Sequence, residues 1–399
     1  MKSIDAFNFS NQKVLLRVDY NVPLNENFEV TDITRIVRTR KTIGKIIEDG
    51  GAIILMSHLG RPKGEANDKY SLRHIVSTVS EVLGRPVQFV GDVLSEEAAQ
   101  IVAAMKPGDI VLLENLRFHA EEEKGDMAFA KQIARLGDVY VNDAFGTAHR
   151  EHASTATVAR CFTSKAFAGY LLYEEVMSLE KLLNKPDRPF TAIIGGSKVS
   201  TKINIITNLL PKVDNLIVGG GLSYTFLAAM GLKIGNSLYE PDMLPVAKEI
   251  LDKVNATAGT NFYCRVDSIC GDKFSNDANV LIPADNNIPD GWEGLDIGPK
   301  TQRNIAQVLK NSDTILWNGP VGVFELEKFS QGTKSVAISV AAATLAGAYS
   351  VIGGGDSIAA INKYNLADYV SYISTGGGAM LEYLEGKVLP GVAALNEIE

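Results

Sequence analysis

Residues 350–361 read SVIGGGDSIAAI. A short β-branched apolar run enters three glycines and an aspartate, and a helical pattern beginning near Ile358 follows. That order describes a strand, a tight corner and a helix, the building unit of a parallel sheet. A strand end without side chains lets main-chain N–H groups crowd an anion, with the helix N-terminus adding its partial positive charge. The same corner predicts a phosphate site at Gly353, Gly354 and Gly355, with Asp356 placed to meet Mg²⁺ and Ser357 closing the motif. Gly376, Gly377 and Gly378, after Ser374-Thr375, repeat the pattern.

The same grammar extends outward along the chain. Apolar runs at Val14–Val18, Ala52–Met56, Val87–Val90, Ile110–Leu113 and Val139–Val141 alternate with amphipathic stretches at Leu72–Leu83 and Ser95–Met105. Runs at Thr191–Ile194, Leu216–Val218, Phe262–Val266, Val280–Ile282, Thr314–Trp317 and Ser350–Ile352 follow, with helical patterns at Met243–Val254 and Thr333–Ala346. At 399 residues the chain exceeds one comfortable core. The expected fold is α/β, with two doubly wound parallel-sheet, Rossmann-like domains. The first takes residues 1–167, an interdomain helix 168–185, and the second domain 186–386. That helix is placed on the apolar spacing of AGYLLYEEVMSLEKLL and the Lys185-Pro186 stop.

Composition divides the halves by chemistry. All five histidines and eleven of the fourteen arginines precede residue 161, whereas every triple glycine follows residue 218. Ligands of open parallel sheets bind beyond the strands' carboxyl ends. In the first half those ends carry Asp19, Asn21, His58, Arg61 and Arg117, joined by Arg35 and Arg150. Guanidinium forks suit phosphate and carboxylate, and Asp19 and Asn21 suit hydroxyls, so the set predicts a small hydroxylated polyanion. In the second half Lys198 and Lys202 of GGSKVSTKI are predicted on one helix face behind a glycine pair. Glu325, after a Gly-Pro-Val-Gly turn, suits ribose hydroxyls. Arg17, inside an apolar run, reads as structural, and the His149/His152 pair lacks a third zinc ligand at suitable spacing.

Other classes fit poorly. A net charge of -8 argues against nucleic-acid and membrane-surface partners. Three cysteines without metal spacing and the absence of a long apolar run point to a reducing cytoplasm. No GxxxxGK[ST], complete GxGxxG or GxSxG occurs, which removes the usual signatures of P-loop enzymes, dehydrogenases and hydrolases.

With those residues in place, the chain resembles the phosphoglycerate kinase family over essentially its full length. The likeness rests on RVDYNVP at 17–23, SHLGRP at 57–62, LLENLRFH at 112–119, NDAFGTAHR at 142–150, GGSKVSTKI at 195–203, GLDIGP at 294–299, WNGPVGVFE at 317–325, GGGDS at 353–357 and STGGGA at 374–379. It implies reversible in-line transfer of a phosphoryl group between 1,3-bisphosphoglycerate and MgADP, giving 3-phosphoglycerate and MgATP, in glycolysis and gluconeogenesis. It also implies a cytoplasmic, hinge-bending monomer whose C-terminal tail, 387–399, returns to the first domain. Residue by residue, it assigns Asp19, Asn21, Arg35, His58, Arg61, Arg117 and Arg150 to phosphoglycerate. Lys202, Gly220, Gly294, Asn318, Glu325, Gly354, Gly355, Asp356 and Ser357 go to the nucleotide, with Asp356 toward Mg²⁺. Arg35, Lys198, Gly354 and Gly377 go to the transferring group.

Overall fold

The computed structural model describes residues 1–256 and 259–396. The chain divides into two compact units, Met1–Met177 with the segment from Val388, and Ser178–Lys387. Helix Tyr170–Asn184 contains the division.

The first unit is built on six parallel strands: β1 (Lys13–Arg17), β2 (Ala52–Met56), β3 (Gln88–Val90), β4 (Ile110–Leu113), β5 (Val139–Asn142) and β6 (Ala166–Ala168), ordered β3-β4-β2-β1-β5-β6. AIILM of β2 is buried at every position, as expected of a strand covered on both faces. Helices close those faces. In helix Glu96–Ala104, Ser95 caps the start by accepting from Ala98 N–H at 3.1 Å, and Glu96 and Glu97 oppose the helix dipole. Helix Pro390–Asn396 also belongs here, its Gly391 N–H donating to Ala148 O at 2.8 Å. The last three residues of the expected tail, 397–399, lie outside the described residues.

The second unit carries β7 (Phe190–Ile194), β8 (Asn215–Val218), β9 (Asn261–Tyr263), β10 (Ser268–Gly271), β11 (Val280–Leu281), β12 (Glu293–Ile297), β13 (Thr314–Asn318), β14 (Tyr349–Gly353) and β15 (Tyr372–Ile373). Its six-stranded parallel sheet runs β15-β14-β13-β7-β8-β9. The chain leaves β7 toward β9 and returns to β13 on β7's other side. That reversal makes the carboxyl ends of β7 and β13 the topological switch point.

Several local expectations change. β9 ends at Tyr263, the last residue paired with β8, rather than reaching Val266. β11, expected in the parallel sheet, instead joins β10 and β12 in a separate antiparallel sheet ordered β11-β10-β12. The helix expected near Ile358 starts at Gly355, because Gly354 at φ +90° turns the chain immediately after β14. No helix carries Lys198 and Lys202 on one face. A tight turn, Lys202 N–H to Val199 O at 2.8 Å, leaves Lys202 at the N-cap of helix Ile203–Leu209 and Lys198 outside it.

Candidate active site

In the first unit Asp19 and Asn21 follow β1, His58 and Arg61 follow β2, and Arg117 sits in a 3-10 turn after β4. Arg35, on the short helix Thr34–Arg38, donates to Asp19 Oδ2 at 2.8 Å and Asn21 O at 3.2 Å. Asn21 Oδ1 accepts from Gly60 N–H at 2.9 Å, tying the β1 loop to the β2 loop. Arg117 donates to Gly60 O at 2.8 Å, while its Nη2 is buried without a hydrogen-bond partner. Arg61 is exposed on the His58 loop, and its guanidinium has no hydrogen bond or ion pair with another described residue. Arg150 Nε donates to His149 Nε2 at 3.3 Å.

His58 brings the set together. Burial holds its pKa well below the usual histidine range, and Arg17, Arg117, Arg150 and Arg35 each push it further down. The charges of four guanidinium groups therefore act on one neutral imidazole. His152 falls to about 3 from burial and from Arg117, Arg17 and Arg150. Burial and the neighbouring Arg150 and Arg17 lower Arg117 to about 10, partly offset by Glu123 and Glu122. Such concentrated positive charge suits an anion with several charges.

Arg17, expected to be structural from its place in an apolar run, also touches this set. It is fully buried, donates to Ser154 Oγ at 2.8 Å and to Val18 O, and places Nη2 3.3 Å from His58 Nδ1. A guanidinium only donates, so Nδ1 accepts and the imidazole proton resides on Nε2. Behind it, Ser154 Oγ donates to the buried Glu122 at 2.6 Å. The available sequence signal was an arginine within RVDYNVP, charged where a strand face is otherwise apolar.

In the second unit the glycine corners meet at the switch point. Gly195 N–H donates to Asn318 O at 2.8 Å, Lys202 Nζ donates to Asn318 Oδ1, and Asn318 Nδ2 donates to Gly353 O at 2.9 Å. Gly220, at φ +68°, would place a Cβ 2.5 Å from Gly196 O, so no other residue fits. Burial lowers the Lys202 pKa, and Asp356 and Glu385 oppose that shift. Ser357 is buried and its hydroxyl accepts from Gly319 N–H at 2.6 Å, bracing one corner against another. Gly377, at φ +50°, stands before helix Gly378–Leu384 with open space around it. Lys198 is exposed beside Glu240, whose pKa it helps lower.

A cavity of about 400 Å³ opens at these corners, with Gly196, Gly220, Gly294, Glu325 and Asp356 in its walls. A larger hollow of about 560 Å³ lies by the opposite strand ends, near Asn215 and Asn261. Its Arg188 is already engaged by Asp214 at 2.8 Å and Lys212 O at 3.0 Å. The smaller cavity, at the glycine corners, is therefore the better anion site. Among the described residues no group of three or more His, Cys, Asp or Glu is poised to hold a metal. Asp356, exposed at the glycine corner of this cleft, has a carboxylate that fits Mg²⁺ as nucleotides carry it.

Known proteins share this fold. A profile of the family described as phosphoglycerate kinase matches residues 4–387. The phosphoglycerate kinase of Chloroherpeton thalassium is 50% identical over 395 residues, covering 99% of this chain and 99% of that protein. That of Porphyromonas gingivalis is 50% identical over 419 residues, covering 99% and 100%. Among solved structures, the Coxiella burnetii phosphoglycerate kinase superposes with a TM-score of 0.92 at 42% identity, covering 99% of this chain and 98% of its own. The Pyrococcus horikoshii OT3 phosphoglycerate kinase gives 0.83 at 30% identity, with both chains fully covered. With a family match over nearly its whole length and relatives at half identity, this chain belongs to the phosphoglycerate kinase family.

Proposed function

We propose that the chain is a phosphotransferase that moves a phosphoryl group reversibly between 1,3-bisphosphoglycerate and MgADP, giving 3-phosphoglycerate and MgATP. The observation that carries this reading is the buried His58, with Arg17 Nη2 3.3 Å from its Nδ1 and the charges of Arg17, Arg117, Arg150 and Arg35 holding it neutral. Such a site suits a small anion bearing both phosphate and carboxylate. Arg117, Arg150 and Arg61 take the phosphate, His58 donates from Nε2, and Asp19 and Asn21 take the hydroxyl. The nucleotide lies along the second cavity, its phosphates against Gly354, Gly355, Gly377 and Lys202, its ribose at Glu325 and its base toward Gly220 and Gly294.

Direct in-line transfer needs no protein nucleophile, and a carboxylate leaving group needs little protonation. Rate then depends on positioning and on neutralising charge across the phosphoryl oxygens. Arg35, Lys198 and the Gly354 and Gly377 N–H groups supply that neutralisation. Asp356 would hold Mg²⁺, which would offset phosphate charge when the nucleotide is bound. Asn318 sets the Lys202 ammonium by accepting from it. Because the two ligand sites belong to separate units, the reaction requires hinge closure, which also excludes water from the acyl phosphate.

No helix among the described residues is long and apolar enough to cross a membrane. The proposal includes a cytoplasmic monomer with small-molecule substrates, and the net charge of -8 fits the lack of a nucleic-acid partner in it. A coupled assay with 1,3-bisphosphoglycerate and MgADP is expected to yield ATP. Binding of both ligands without turnover would instead identify a silent anion clamp.

A further inference from the structure

Ser154 lies outside the residues assigned to either substrate, yet every polar group it has is engaged. It is fully buried, as are Glu122 and Arg17. Its N–H donates to Glu122 Oε2 at 2.9 Å and its hydroxyl to Oε1 at 2.6 Å, so one serine occupies both carboxylate oxygens. Its carbonyl accepts from Tyr140 Oη at 2.9 Å. With the hydroxyl proton committed to Glu122, the Oγ lone pairs face Arg17 and accept from its Nε at 2.8 Å. Arg17 Nη1 donates to Val18 O. A guanidinium is a rigid planar fork, so fixing Nε and Nη1 also fixes Nη2, which stands 3.3 Å from His58 Nδ1.

A second group competes for that ring nitrogen. Asp19 Oδ1 is 4.0 Å from His58 Nδ1. A carboxylate only accepts and would draw the ring proton to Nδ1, whereas a guanidinium only donates and keeps the proton away. Arg17 is the nearer of the two, which leaves the proton on Nε2, an atom without a hydrogen-bond partner among the described residues. The distinction matters for an anion. Ionised carboxylate and phosphate oxygens only accept, so Nε2 attracts them with its proton and opposes them with a lone pair without it.

Resting on the phosphoryl-transfer reading above, we propose that Ser154 is a positioning residue for phosphoglycerate: by seating Arg17 against His58 Nδ1, it decides whether His58 Nε2 donates to the substrate. Ser154 itself touches no ligand, and Glu122 sets the direction of its hydroxyl. Without that hydroxyl, Arg17 Nε would be buried and unbonded, a cost that favours turning the fork away. Asp19 is then the group within reach of Nδ1.

The test uses the full chain with histidine isotope-labelled at both ring nitrogens. NMR reads the His58 tautomer in the ligand-free protein, and calorimetry reads 3-phosphoglycerate affinity. Expected in the parent is a proton on Nε2. In Ser154→Ala the proton shifts toward Nδ1 and 3-phosphoglycerate binds about 10-fold more weakly, although no charge has changed. A serine that only supported the fold would lower stability and leave the tautomer of the folded protein as it was. A proton on Nδ1 in the parent overturns the proposal, as does a Ser154→Ala protein with unchanged tautomer or unchanged affinity. If Ser154→Ala does not fold, Arg17→Lys, which keeps the charge and loses the fork, is read in the same way. If the parent does not bind 3-phosphoglycerate, the phosphoryl-transfer reading fails by itself, and the tautomers of parent and variant still decide whether Ser154 sets the ring proton.

Discussion

Replacing Arg117 with methionine is expected to stabilise the ligand-free protein while weakening its grip on phosphoglycerate. The Arg117 side chain is 3% exposed, and burial together with Arg150 and Arg17 brings its pKa down to about 10. At about 1.4 kcal/mol per pH unit, holding that group charged costs about 3 kcal/mol. Screening by nearby solvent reduces this to about 2 kcal/mol. The change also removes the bond to Gly60 O and the 3.4 Å pair with Glu123, which is 42% exposed. Together these contribute about 1 kcal/mol, and Met fills a similar volume. The net expectation is a gain of about 1 kcal/mol in urea unfolding, measured in chloride buffer. Calorimetry should show 3-phosphoglycerate binding at least 10-fold more weakly, the loss of one charge-assisted pair. Added sulfate should stabilise the parent more than the variant, because only the parent keeps the full anion site. A variant less stable by more than about 1 kcal/mol, or one with unchanged ligand affinity, would refute the idea that this cluster is strained until an anion arrives.

Further outcomes can be checked independently. Arg35→Ala should cut kcat by orders of magnitude while costing less than about 1 kcal/mol of stability, since its 2.8 Å pair with Asp19 involves a side chain 39% exposed; near-normal kcat would remove it from the transferring group. Asp356→Ala should weaken MgADP binding severalfold or more and leave metal-free ADP binding little changed; equal loss in both conditions argues against a metal contact. Asp296, raised to about 7 by burial, is protonated more readily folded than unfolded. Its contribution is therefore greatest near pH 4 and declines toward pH 7 by up to about 4 kcal/mol. Asp296→Asn, which retains an acceptor for the Gly332 N–H, should flatten that decline, and parallel urea midpoints from pH 4 to 8 would contradict the assignment. Both ligands together should reduce the radius of gyration in small-angle scattering more than either alone, and an unchanged radius would reject closure.

Strand ends were the most legible part of the chain because runs such as AIILM are buried on both faces and stop sharply at functional residue types. Asp19, His58 and Arg117 could therefore be placed beyond parallel strands without knowing strand order. Two kinds of feature were harder to see. The antiparallel sheet joins SICG and EGLDI, which no apolar run marks as strands, to VL, whose run at Val280–Ile282 reads as a strand but not as an antiparallel one; only pairing across the chain decides both. Lys198 and Lys202 have helical spacing, but the buried Val199 and the turn it accepts take precedence over periodicity. Arg17 showed a third kind of difficulty. Its importance arises from residues 41 and 137 positions away, His58 and Ser154, which no local pattern brings together.

The small β11-β10-β12 sheet lies in the excursion between β9 and β13. It carries Glu293 and Gly294, whereas Gly354, Gly355 and Gly377 follow β14 and β15 of the parallel sheet. In the proposed reaction the base contact at Gly294 and the phosphate contacts at Gly354, Gly355 and Gly377 therefore come from different sheets. On that proposal, substitutions in the excursion are expected to alter nucleotide affinity while the reaction's charged centre keeps its geometry, so binding strength can drift under selection without rebuilding catalysis.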